Sequence, residues 1–497
     1  MPYPQLSRSL TERAFPPDMP PARVWNLPEK ILQFGSGRFL RAFVGNFVDH
    51  ANRKGLFNGR IVVVQSTGDS RTHLFNDQDG LYTLCMRGVR QGETVEEYLL
   101  LSAVSRALAS NESWGTVLEC ARNPDLELII SNTTEVGIVL DSEDQRALTP
   151  PRSFPGKLTA CLYERFTAFE GAADKGLILI PCELIDDNGS RLKEIVLELS
   201  RRWALPHAFC DWVESANSFC NSLVDRIVTG TPHEEDLKQI QKKLGYEDAL
   251  FTMAEVYSLW AIEGDASLRK RLPFADVNPA IVITKDISPY RERKIRILNG
   301  THTISAPLSY MQGNNTILES MNHSSVSSFI EDVMHEEIGP SLNVNPDSVK
   351  TFVEETLDRF KNPYLKHQLL DITFQSTKKM RLRVIPSIVR HYEKKGTLPS
   401  HLCLGFANYI WFMQGVEKEN GKVFGRRGEE RYRINDDAAG YFVSQWSEVS
   451  PDDPEQIRQL VEKICDNSDL WGVQLTEFSG FCEEVTRNLQ CLAGITV

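Results

Sequence analysis

The sequence predicts an α/β domain built around a parallel sheet, followed by a mainly α-helical domain. In the first part of the chain, short apolar stretches rich in β-branched residues alternate with stretches of helical periodicity. This pattern is typical of parallel sheets covered by helices on both faces. After Ser288 and Pro289, nearly all periodic stretches have helical spacing. A chain of 497 residues also exceeds the size of one hydrophobic core, so two or three domains are expected.

Five apolar segments are predicted to be strands of the N-terminal domain. The first, KILQF, precedes a glycine-containing turn, and the second, RIVVVQ, is rich in valine and therefore favours a sheet. Residues 1–28 are rich in proline and are expected to run over the surface. The predicted strands are 30–34, 60–65, 126–131, 177–181 and 280–285, and the predicted helices between them are 38–53, 95–109 and 156–169.

The helical domain is predicted to begin at residue 288, because nearly all periodic stretches after that point have helical spacing. Residues 1–287 then form the α/β domain and residues 288–497 the α-helical domain. The segment 417–437 is charged and contains glycines, which predicts an exposed loop. The predicted helices are 294–311, 346–359, 364–370, 384–395, 402–414, 455–465 and 480–489.

Composition excludes several classes of function. Lys and Arg number 55 against 67 Asp and Glu, a formal net charge of -12, whereas a dedicated binder of nucleic acid or anionic membrane needs a basic surplus. No apolar run reaches the ~18–20 residues of a membrane span, and the N-terminus lacks the apolar core of a signal peptide. The ten cysteines have no zinc-like spacing. We therefore expect a cytoplasmic protein without a structural metal.

Gly35, Ser36 and Gly37 lie between the first predicted strand and the first predicted helix. Glycines there let the backbone approach a pyrophosphate, which the free N–H groups and dipole of a helix N-terminus attract. Leu40 replaces the third glycine of the usual G-x-G-x-x-G pattern, so an ordinary strand-to-helix turn is the alternative. The position of the turn after the first strand favours a Rossmann-like dinucleotide-binding domain.

A residue that contacts the adenosine ribose is expected at the end of the second strand, about 20 residues after the glycines. Gln65 ends that strand and Asp69 lies a little beyond it. A carboxylate at Asp69 would bind the ribose hydroxyls and repel a 2′-phosphate, which favours NAD over NADP. Arg71, close by, has the opposite effect, so both cofactors stay open at this point.

Two further polar segments follow strands at the edge of the sheet where ligands bind. The third strand leads into Thr133, Thr134 and Glu135. The short hydroxyls of the two threonines suit the nicotinamide side of a cofactor, and the Glu135 carboxylate could relay protons. A capped turn is the alternative. After the fourth strand, Asn188 places an amide donor at the same edge. Asn188-Gly189 is also a common turn sequence.

Lys294, Asn299 and His302 form the strongest candidate for a catalytic group. On an α-helix, Asn299 and His302 would lie about 140° and 80° around the axis from Lys294, on one broad face. A lysine in a cleft can act as general acid or base, an amide can donate to an oxyanion, and a histidine can orient a hydroxyl. Solvated side chains on a helix surface are the alternative.

Basic residues form two clusters, at 291–296 and 378–383. Most such clusters are solvated surfaces, but in a chain of net charge -12 they are also candidates for binding a substrate carboxylate.

Three separated motifs give the chain a resemblance to a known family. GSGRFLRAF at 35–43, which includes Phe39 and Arg41, resembles the G-x-G-x-F-x-R-A signature of the polyol-specific long-chain dehydrogenases, the mannitol dehydrogenase family. NSLVDRI at 221–227 resembles the family's N-S-[ML]-V-D-R-I segment, and Lys294, Asn299 and His302 match its K-x4-N-x2-H motif. Leu40 stands where the mannitol dehydrogenases and fructuronate reductases of this family typically have histidine, which favours the family's tagaturonate branch.

The resemblance implies a metal-independent, NAD-dependent interconversion of a keto-uronate and an aldonate by hydride transfer. Lys294 would be the general acid and base, Asn299 and Asn188 would hold the alkoxide, and His302 would bind a substrate hydroxyl. It also implies that the 35–43 signature binds the cofactor and that Lys379 contacts the substrate. The candidates for the substrate carboxylate are Lys379, Arg291 and Arg293. A sibling polyol or fructuronate specificity stays open, as does a non-catalytic dinucleotide sensor.

Overall fold

The computed structural model describes residues 3–11, 20–66, 71–133, 137–230 and 232–495. The chain divides into two compact units: the first contains Met1–Arg87 and Val95–Ile287, and the second contains Gly88–Thr94 and Ser288–Val497. No helix in the described ranges combines the length and apolar character needed to cross a membrane.

The strands of the described ranges are numbered here in chain order. They are β1 (Glu29–Phe34), β2 (Arg60–Gln65), β3 (Tyr82–Arg90), β4 (Glu93–Leu101), β5 (Val104–Ala109), β6 (Leu128–Ser131), β7 (Ile178–Pro181), β8 (Ser218–Phe219), β9 (Ser222–Asp225), β10 (Val228–Thr229), β11 (Thr252–Glu255), β12 (Leu259–Glu263), β13 (Ile281–Thr284), β14 (Glu417–Glu419), β15 (Lys422–Arg427) and β16 (Glu430–Ile434).

The α-helices are numbered in the same way. Those of the first unit are α1 (Arg8–Thr11), α2 (Arg38–Leu40), α3 (Asn46–Arg53), α4 (Thr72–Asn76), α5 (Trp114–Arg122), α6 (Phe154–Ala168), α7 (Asn188–Arg202), α8 (His207–Ala216), α9 (Glu234–Leu244) and α10 (Ala266–Arg271). Those of the second unit are α11 (Ser288–Arg293), α12 (Thr301–Met311), α13 (Ile317–Asn322), α14 (Ser324–Asp332), α15 (Gly339–Ser341), α16 (Pro346–Phe360), α17 (Leu369–Ile372), α18 (Ser376–Lys379), α19 (Ile385–Lys395), α20 (Ser400–Phe412), α21 (Ala439–Trp446), α22 (Pro454–Asp466), α23 (Ser468–Trp471) and α24 (Phe481–Leu492).

Shorter helical segments of other types complete the secondary structure. The π-helical segments are Arg41–Gly45, Lys294–Gly300, Val333–Ile338 and Met380–Val384. The 3₁₀ segments are Ala22–Asn26, Ala173–Lys175, Pro273–Asp276 and Leu475–Glu477.

The first unit is built on a six-stranded sheet with the order β5-β2-β1-β6-β7-β8, and its strand pairs are parallel. Side chains alternate between its two faces, as the pleat of a strand requires. Ile31 of β1 and Ile61 of β2 enter one hydrophobic core, whereas Leu32 and Val62 enter the other, which also contains side chains of α5 to α8. Both faces are therefore covered, as the apolar strands predict.

Two smaller sheets belong to the same part of the chain. One has the order β10-β11-β3-β4 and the other the order β13-β12-β9. The prediction of a helix at 95–109 is wrong, because this segment forms most of β4 and all of β5. Its Glu, Leu and Ala residues are good helix formers, but tertiary context overrides helix propensity. Here β5 completes the edge of the main sheet through parallel pairing with β2.

The second unit is mainly α-helical, and α20 packs against both α12 and α24. Most of α20 is buried, including Leu402, Phe406 and Tyr409, so an apolar surface all around the helix fits a central position. The predicted helices at 346–359, 402–414 and 455–465 are confirmed to within a few residues. The predicted fold class, a Rossmann-like α/β domain followed by a mainly α-helical domain, is confirmed.

Two predictions for the second unit are wrong. Residues 364–368 are not helical, and only Leu369–Ile372 forms a short helix, because the Asn362 side chain accepts the backbone N–H of Tyr364 in a local turn. The predicted loop at 417–437 contains the antiparallel sheet β14-β15-β16. Its first turn is Asn420-Gly421 with positive φ at both positions, a strong hairpin signal that the charged composition obscured.

Candidate active site

The glycine turn lies at the carboxyl end of β1, which has β2 and β6 as neighbours. Gly35 has a φ of 128°, and a Cβ atom there would lie 2.7 Å from the carbonyl oxygen of Asn132. A Cβ on Gly37 would have no neighbour within 4 Å, so the backbone is open to a ligand at the start of α2. Gln33 supports the turn by donating from Nε2 to the carbonyl oxygen of Gly35, at 2.9 Å.

The helix that follows the turn runs through α2, the π-helical segment Arg41–Gly45 and α3. Arg41 is buried, and it donates from Nη1 to the carbonyl oxygen of Ser36 at 2.7 Å and from Nε to Oγ1 of Thr252 at 3.2 Å. Burial lowers the pKa of its guanidinium. Phe39 stacks on Phe43 with ring centroids 4.9 Å apart. Arg41 thus fixes the shape of the glycine turn through its hydrogen bond to the Ser36 carbonyl oxygen.

The expected ribose and nicotinamide residues are only partly described. Gln65 ends β2, and its Oε1 accepts the backbone N–H of Arg71 at 3.0 Å. Asp69, Thr134 and Glu135 lie outside the described residues. Thr133 is described, and both its backbone N–H and its hydroxyl donate to Glu183 Oε1, at 2.9 and 3.0 Å.

Glu183 is a residue at this edge that sequence reasoning missed. It lies two residues after the end of β7, is 3% exposed, and accepts from the Ser131 hydroxyl at 3.0 Å in addition to its bonds from Thr133. Burial raises the pKa of its carboxyl, although the donors act in the opposite direction. Glu183 thereby ties the end of β7 to the end of β6. An acidic residue two positions after a predicted buried strand was the available signal.

Asn188 has a different environment from the one the resemblance implies. Its side chain is fully buried and donates from Nδ2 to the carbonyl oxygens of Pro181, Glu183 and Ser222 at 3.0–3.1 Å. Its Oδ1 accepts the N–H groups of Gly189 and Ser222. This amide begins α7 and joins β7 to β9, and its role in holding a substrate alkoxide stays a prediction.

In the second unit, Lys294 and Asn299 lie in one π-helical segment, Lys294–Gly300. A π-helix bonds residue i to residue i+5, so these two residues lie one turn apart on the same side rather than about 140° apart as on an α-helix. Both are partly exposed. The helix continues without a break into α12, which carries His302. The departure from α-helical geometry therefore brings the candidate acid and the candidate amide together.

His302 lies in an aromatic and cationic environment. Its ring stacks on Phe360 with centroids 4.2 Å apart and meets the edge of His367 at 4.9 Å. Burial, together with the positive charges of Arg359 and Arg383, holds the pKa of His302 well below its ordinary value. Burial also lowers the pKa of His367. His302 is consequently a neutral imidazole at pH 7, which can both donate and accept a hydrogen bond.

The three carboxylate candidates differ in their surroundings. Arg293 is buried, donates to the carbonyl oxygen of Ser348 at 3.1 Å and lies over the rings of Tyr290 and Phe352. It therefore holds α11 in place, and its role toward the substrate stays a prediction. Arg291 is half-buried at the end of α11. Lys379 is half-buried and donates to the carbonyl oxygen of Ile372 at 2.9 Å, and burial together with Arg383 lowers its pKa.

The structure thus brings the predicted residues together in two groups, one in each unit. In the first unit, Gly35, Ser36 and Gly37 lie at the sheet edge that also carries Thr133. In the second unit, Lys294, Asn299 and His302 share one helix. Among the described residues, no three His, Cys, Asp or Glu side chains are grouped so that they could hold a metal ion.

A parallel sheet with a glycine turn after its first strand, followed by a helical unit with a Lys-Asn-His face, defines a class of two-domain oxidoreductases with a Rossmann-like domain. The family model of the mannitol dehydrogenase Rossmann domain matches residues 29–276, and that of the mannitol dehydrogenase C-terminal domain matches residues 286–493. The chain therefore belongs to the mannitol dehydrogenase family and is an oxidoreductase acting on a CH–OH group.

Relatives extend over nearly the whole chain. It is 39% identical over 488 residues to an altronate oxidoreductase of Cronobacter sakazakii, covering 98% of this chain and 97% of that protein. It is 38% identical over 460 residues to an altronate oxidoreductase of Bacillus subtilis, covering 92% and 91%.

Solved structures share the fold. A ternary complex of Pseudomonas fluorescens mannitol 2-dehydrogenase with NAD and D-mannitol matches with a TM-score of 0.66 at 22% identity, over 98% of this chain and 96% of that one. A D-sorbitol dehydrogenase in substrate-free form matches with a TM-score of 0.76 at 19% identity, over 99% and 97%.

Proposed function

We propose that this chain interconverts D-tagaturonate and D-altronate, with NADH and NAD as the hydride donor and acceptor. The full-length relatives named altronate oxidoreductase support the sugar-acid specificity. The structural observation that carries the proposal is the joint placement of Lys294 and Asn299 on one π-helical turn, with His302 on the same helix. A proton donor beside an amide donor suits the carbonyl group of a ketone.

The first unit fits a dinucleotide. The pyrophosphate would lie on the backbone of Gly35, Ser36 and Gly37, where a Cβ at Gly37 would meet open space and the α2 N-terminus favours an anion. Gln65 and Asp69 would contact the ribose, and Thr133 and Thr134 would face the nicotinamide. When bound, the nicotinamide ring supplies or accepts the hydride.

The second unit supplies the proton chemistry. In reduction, Lys294 Nζ gives a proton to the substrate oxygen; in oxidation it takes that proton back. Asn299 donates from Nδ2 to the same oxygen while negative charge develops on it. The neutral imidazole of His302 holds a neighbouring hydroxyl. Because these residues move the proton and stabilise the charge, we propose a metal-independent reaction, which an activity that survives treatment with a chelator would support.

A small sugar acid is the proposed partner, and the cytoplasm is the proposed location. The ten cysteines are free, and a chain with many free thiols suits a reducing compartment.

Absorbance of NADH at its characteristic band tests the substrate and cofactor directly. The purified protein is mixed with tagaturonate, fructuronate or fructose, each with NADH or NADPH. We expect rapid oxidation of NADH with tagaturonate only. Equal or faster turnover of fructose would assign a polyol specificity instead, and binding of NADH without turnover of any substrate would indicate a sensor.

Lys294→Ala tests the proton transfer. General acid–base catalysis contributes about 10²–10⁴-fold to a rate, so we expect kcat to fall by that factor in both directions. The affinity for NADH should stay within about twofold of the wild type. Lys395→Ala, which removes an exposed lysine at the end of α19, is the control and should keep full activity. A Lys294→Ala protein that kept most of its kcat would contradict the assignment.

A further inference from the structure

Arg383 lies beside the helix that carries the candidate catalytic residues. It belongs to the π-helical segment Met380–Val384, which packs on the Lys294–Gly300 segment and on α12. Its Nη1 lies 3.3 Å from the hydroxyl of Thr303, the residue after His302. Its own carbonyl oxygen accepts from Arg296 Nη1 at 3.1 Å. The backbone of this segment is thus fixed to the catalytic helix, and the Arg383 guanidinium contacts that helix at Thr303.

The charge of Arg383 has no carboxylate counterpart among the residues that the structure describes. Within the described part of the chain, no carboxylate forms an ion pair with its guanidinium, and its hydrogen bond is the one to Thr303. By contrast, Arg296 and Arg390 both pair with Glu292. Arg383 is half-buried, and burial lowers its pKa. A partly buried cation without a partner carries a desolvation cost, which a bound anion would offset.

A second cation lies near Arg383. Lys379 precedes it by one helical turn, and the charge of Arg383 contributes to the lowered pKa of the Lys379 ammonium. Both side chains are therefore placed so that their charges repel each other. The nearest carboxylate that acts on Lys379 is Asp436, which is held by the hydroxyl and backbone N–H of Thr377 at 2.7 Å. Asp436 therefore accepts hydrogen bonds from Thr377 and does not form an ion pair with Arg383.

Arg383 contacts the catalytic helix at a point beyond Lys294. Its partner Thr303 follows Lys294 by nine residues on the same continuous helix. Lys294 has to reach the ketone, so the other end of the substrate chain needs a contact further along this helix.

We propose that Arg383, assisted by Lys379, binds the carboxylate of the sugar-acid substrate and so distinguishes sugar acids from polyols. This inference rests on the proposed function for the identity of the substrate. A guanidinium presents N–H donors in a planar fork that matches both oxygens of a carboxylate. The Thr303 hydroxyl accepts from one nitrogen of that fork.

The test uses full-length wild type, Arg383→Gln, Arg383→Lys and a control, Arg381→Gln. Arg381 lies two residues earlier, is exposed and donates to the carbonyl oxygen of Asp469 at 3.0 Å. Reduction is measured with tagaturonate and with fructose, which has no carboxylate. Binding of altronate in the presence of NADH is measured by calorimetry; this pair cannot react, because neither molecule can accept a hydride, so the heat does not depend on turnover.

Charged hydrogen bonds of this kind are worth about 1.5–3 kcal/mol, so kcat/KM for tagaturonate should fall about 10–100-fold in Arg383→Gln, mainly through KM. Altronate affinity should fall by a similar factor, whereas any activity on fructose and the affinity for NADH should stay within about twofold. Arg383→Lys keeps the charge without the fork and should lie between. Arg381→Gln should match the wild type.

Several results would overturn the inference. One is an Arg383→Gln protein whose kcat/KM for tagaturonate stays within about twofold of the wild type. Another is an Arg383→Gln protein that loses its activity on tagaturonate and on fructose equally. If Arg383→Gln fails to fold, Arg383→Lys decides by the same criteria. A wild-type protein that does not reduce tagaturonate refutes the proposed function, and altronate binding then decides separately for Arg383. Wild-type protein that binds no altronate refutes the carboxylate site.

Discussion

At the scale of single residues, Gly35 shows how a backbone position can require glycine. Its φ of 128° and the 2.7 Å distance from an added Cβ to the Asn132 carbonyl oxygen both exclude a side chain. We expect Gly35→Ala to destabilise the protein by about 1–3 kcal/mol and to weaken NADH binding, because the turn must shift. Urea unfolding and fluorescence titration with NADH measure the two effects.

Gly37→Ala is the matched control. Gly37 has a φ of -65° and open space where its Cβ would lie. The folded protein accommodates this methyl group, so its stability should match the wild type within about 0.5 kcal/mol. NADH binding should still weaken, because the methyl would occupy the space proposed for the pyrophosphate. If both variants bound NADH normally, the glycine turn would not be the cofactor site.

The residues that sequence reasoning found and missed differ in a physical way. Gly35, Lys294 and His302 belong to local motifs, whose spacing is readable from the chain. Glu183 acts through Ser131 and Thr133, about 50 residues away, and this contact exists only because β6 and β7 are neighbours in the sheet. Such pairing depends on topology, and no local spacing encodes it.

At the scale of elements, the π-helical segments explain why α-helical spacing did not predict the relative positions of Lys294 and Asn299. The segment Lys294–Gly300 brings Lys294 and Asn299 one turn apart, whereas 100° per residue separates them widely. The segment Met380–Val384 likewise holds Arg383 beside α12. A π-helical turn inserts one residue into the helical repeat, and the hydrophobic periodicity of a sequence hardly records one extra residue.

The N-terminus of α20 is capped by a residue from a distant element. Glu337, in the segment Val333–Ile338, is 4% exposed and accepts the N–H groups of His401 at 2.7 Å and Leu402 at 2.8 Å. Pro399, at the N-cap position, makes no side-chain cap. Glu337→Ala should cost about 2–3 kcal/mol of unfolding free energy, because two buried N–H groups lose their acceptors at the start of a central helix. Chemical denaturation followed by tryptophan fluorescence measures the loss.

Two variants of neighbouring residues test this cap. Glu337→Gln keeps one oxygen and should cost about half as much as alanine, since its amide nitrogen cannot accept an N–H. Glu336→Ala removes the adjacent, exposed carboxylate and should leave stability within about 0.5 kcal/mol of the wild type. Equal losses for Glu336→Ala and Glu337→Ala would show that general electrostatics, rather than the cap, stabilises α20.

At the scale of the whole molecule, the fold class follows from the alternation of many elements. Misassigning 95–109 as a helix left this prediction intact, because strands 30–34, 60–65, 126–131 and 177–181 still implied a parallel sheet. The small sheets were harder to predict, since β8 and β10 contain only two residues each. Their pairing is set by their neighbours in space rather than by local propensity.

The pH dependence of stability is also a property of the whole molecule, because carboxyl groups shift in opposite directions. Burial raises the pKa of Glu183, Asp248 and Glu337. Arginine partners lower the pKa of exposed carboxyls such as Glu198 and Glu455, the latter to about 2. The first group favours folding at low pH and the second group favours it at higher pH. The dependence of the unfolding free energy on pH is therefore the difference between the two contributions.

Glu183→Gln tests how one buried carboxyl contributes to the pH dependence of stability. Between the unfolded pKa of about 4.3 and its raised folded pKa, the folded protein binds more protons at Glu183 than the unfolded chain does. The Glu183 contribution to stability is therefore complete below the unfolded pKa and is lost as pH rises through the folded pKa. Glutamine should remove this decline, so the variant should gain stability relative to the wild type as pH rises from 4 to 8.

The geometry makes glutamine a suitable replacement. Its oxygen can accept from both groups of Thr133, and its amide can donate to the Ser131 hydroxyl, which rotates to accept. Glu198→Gln is the control of opposite sign, because Arg202 and Arg201 lower the pKa of Glu198. That variant should lose stability relative to the wild type as pH rises through the unfolded pKa of about 4.3, and the difference should be constant at higher pH. Urea midpoints across the range measure both differences. If the two difference curves had the same sign, the raised pKa of Glu183 would not govern its contribution.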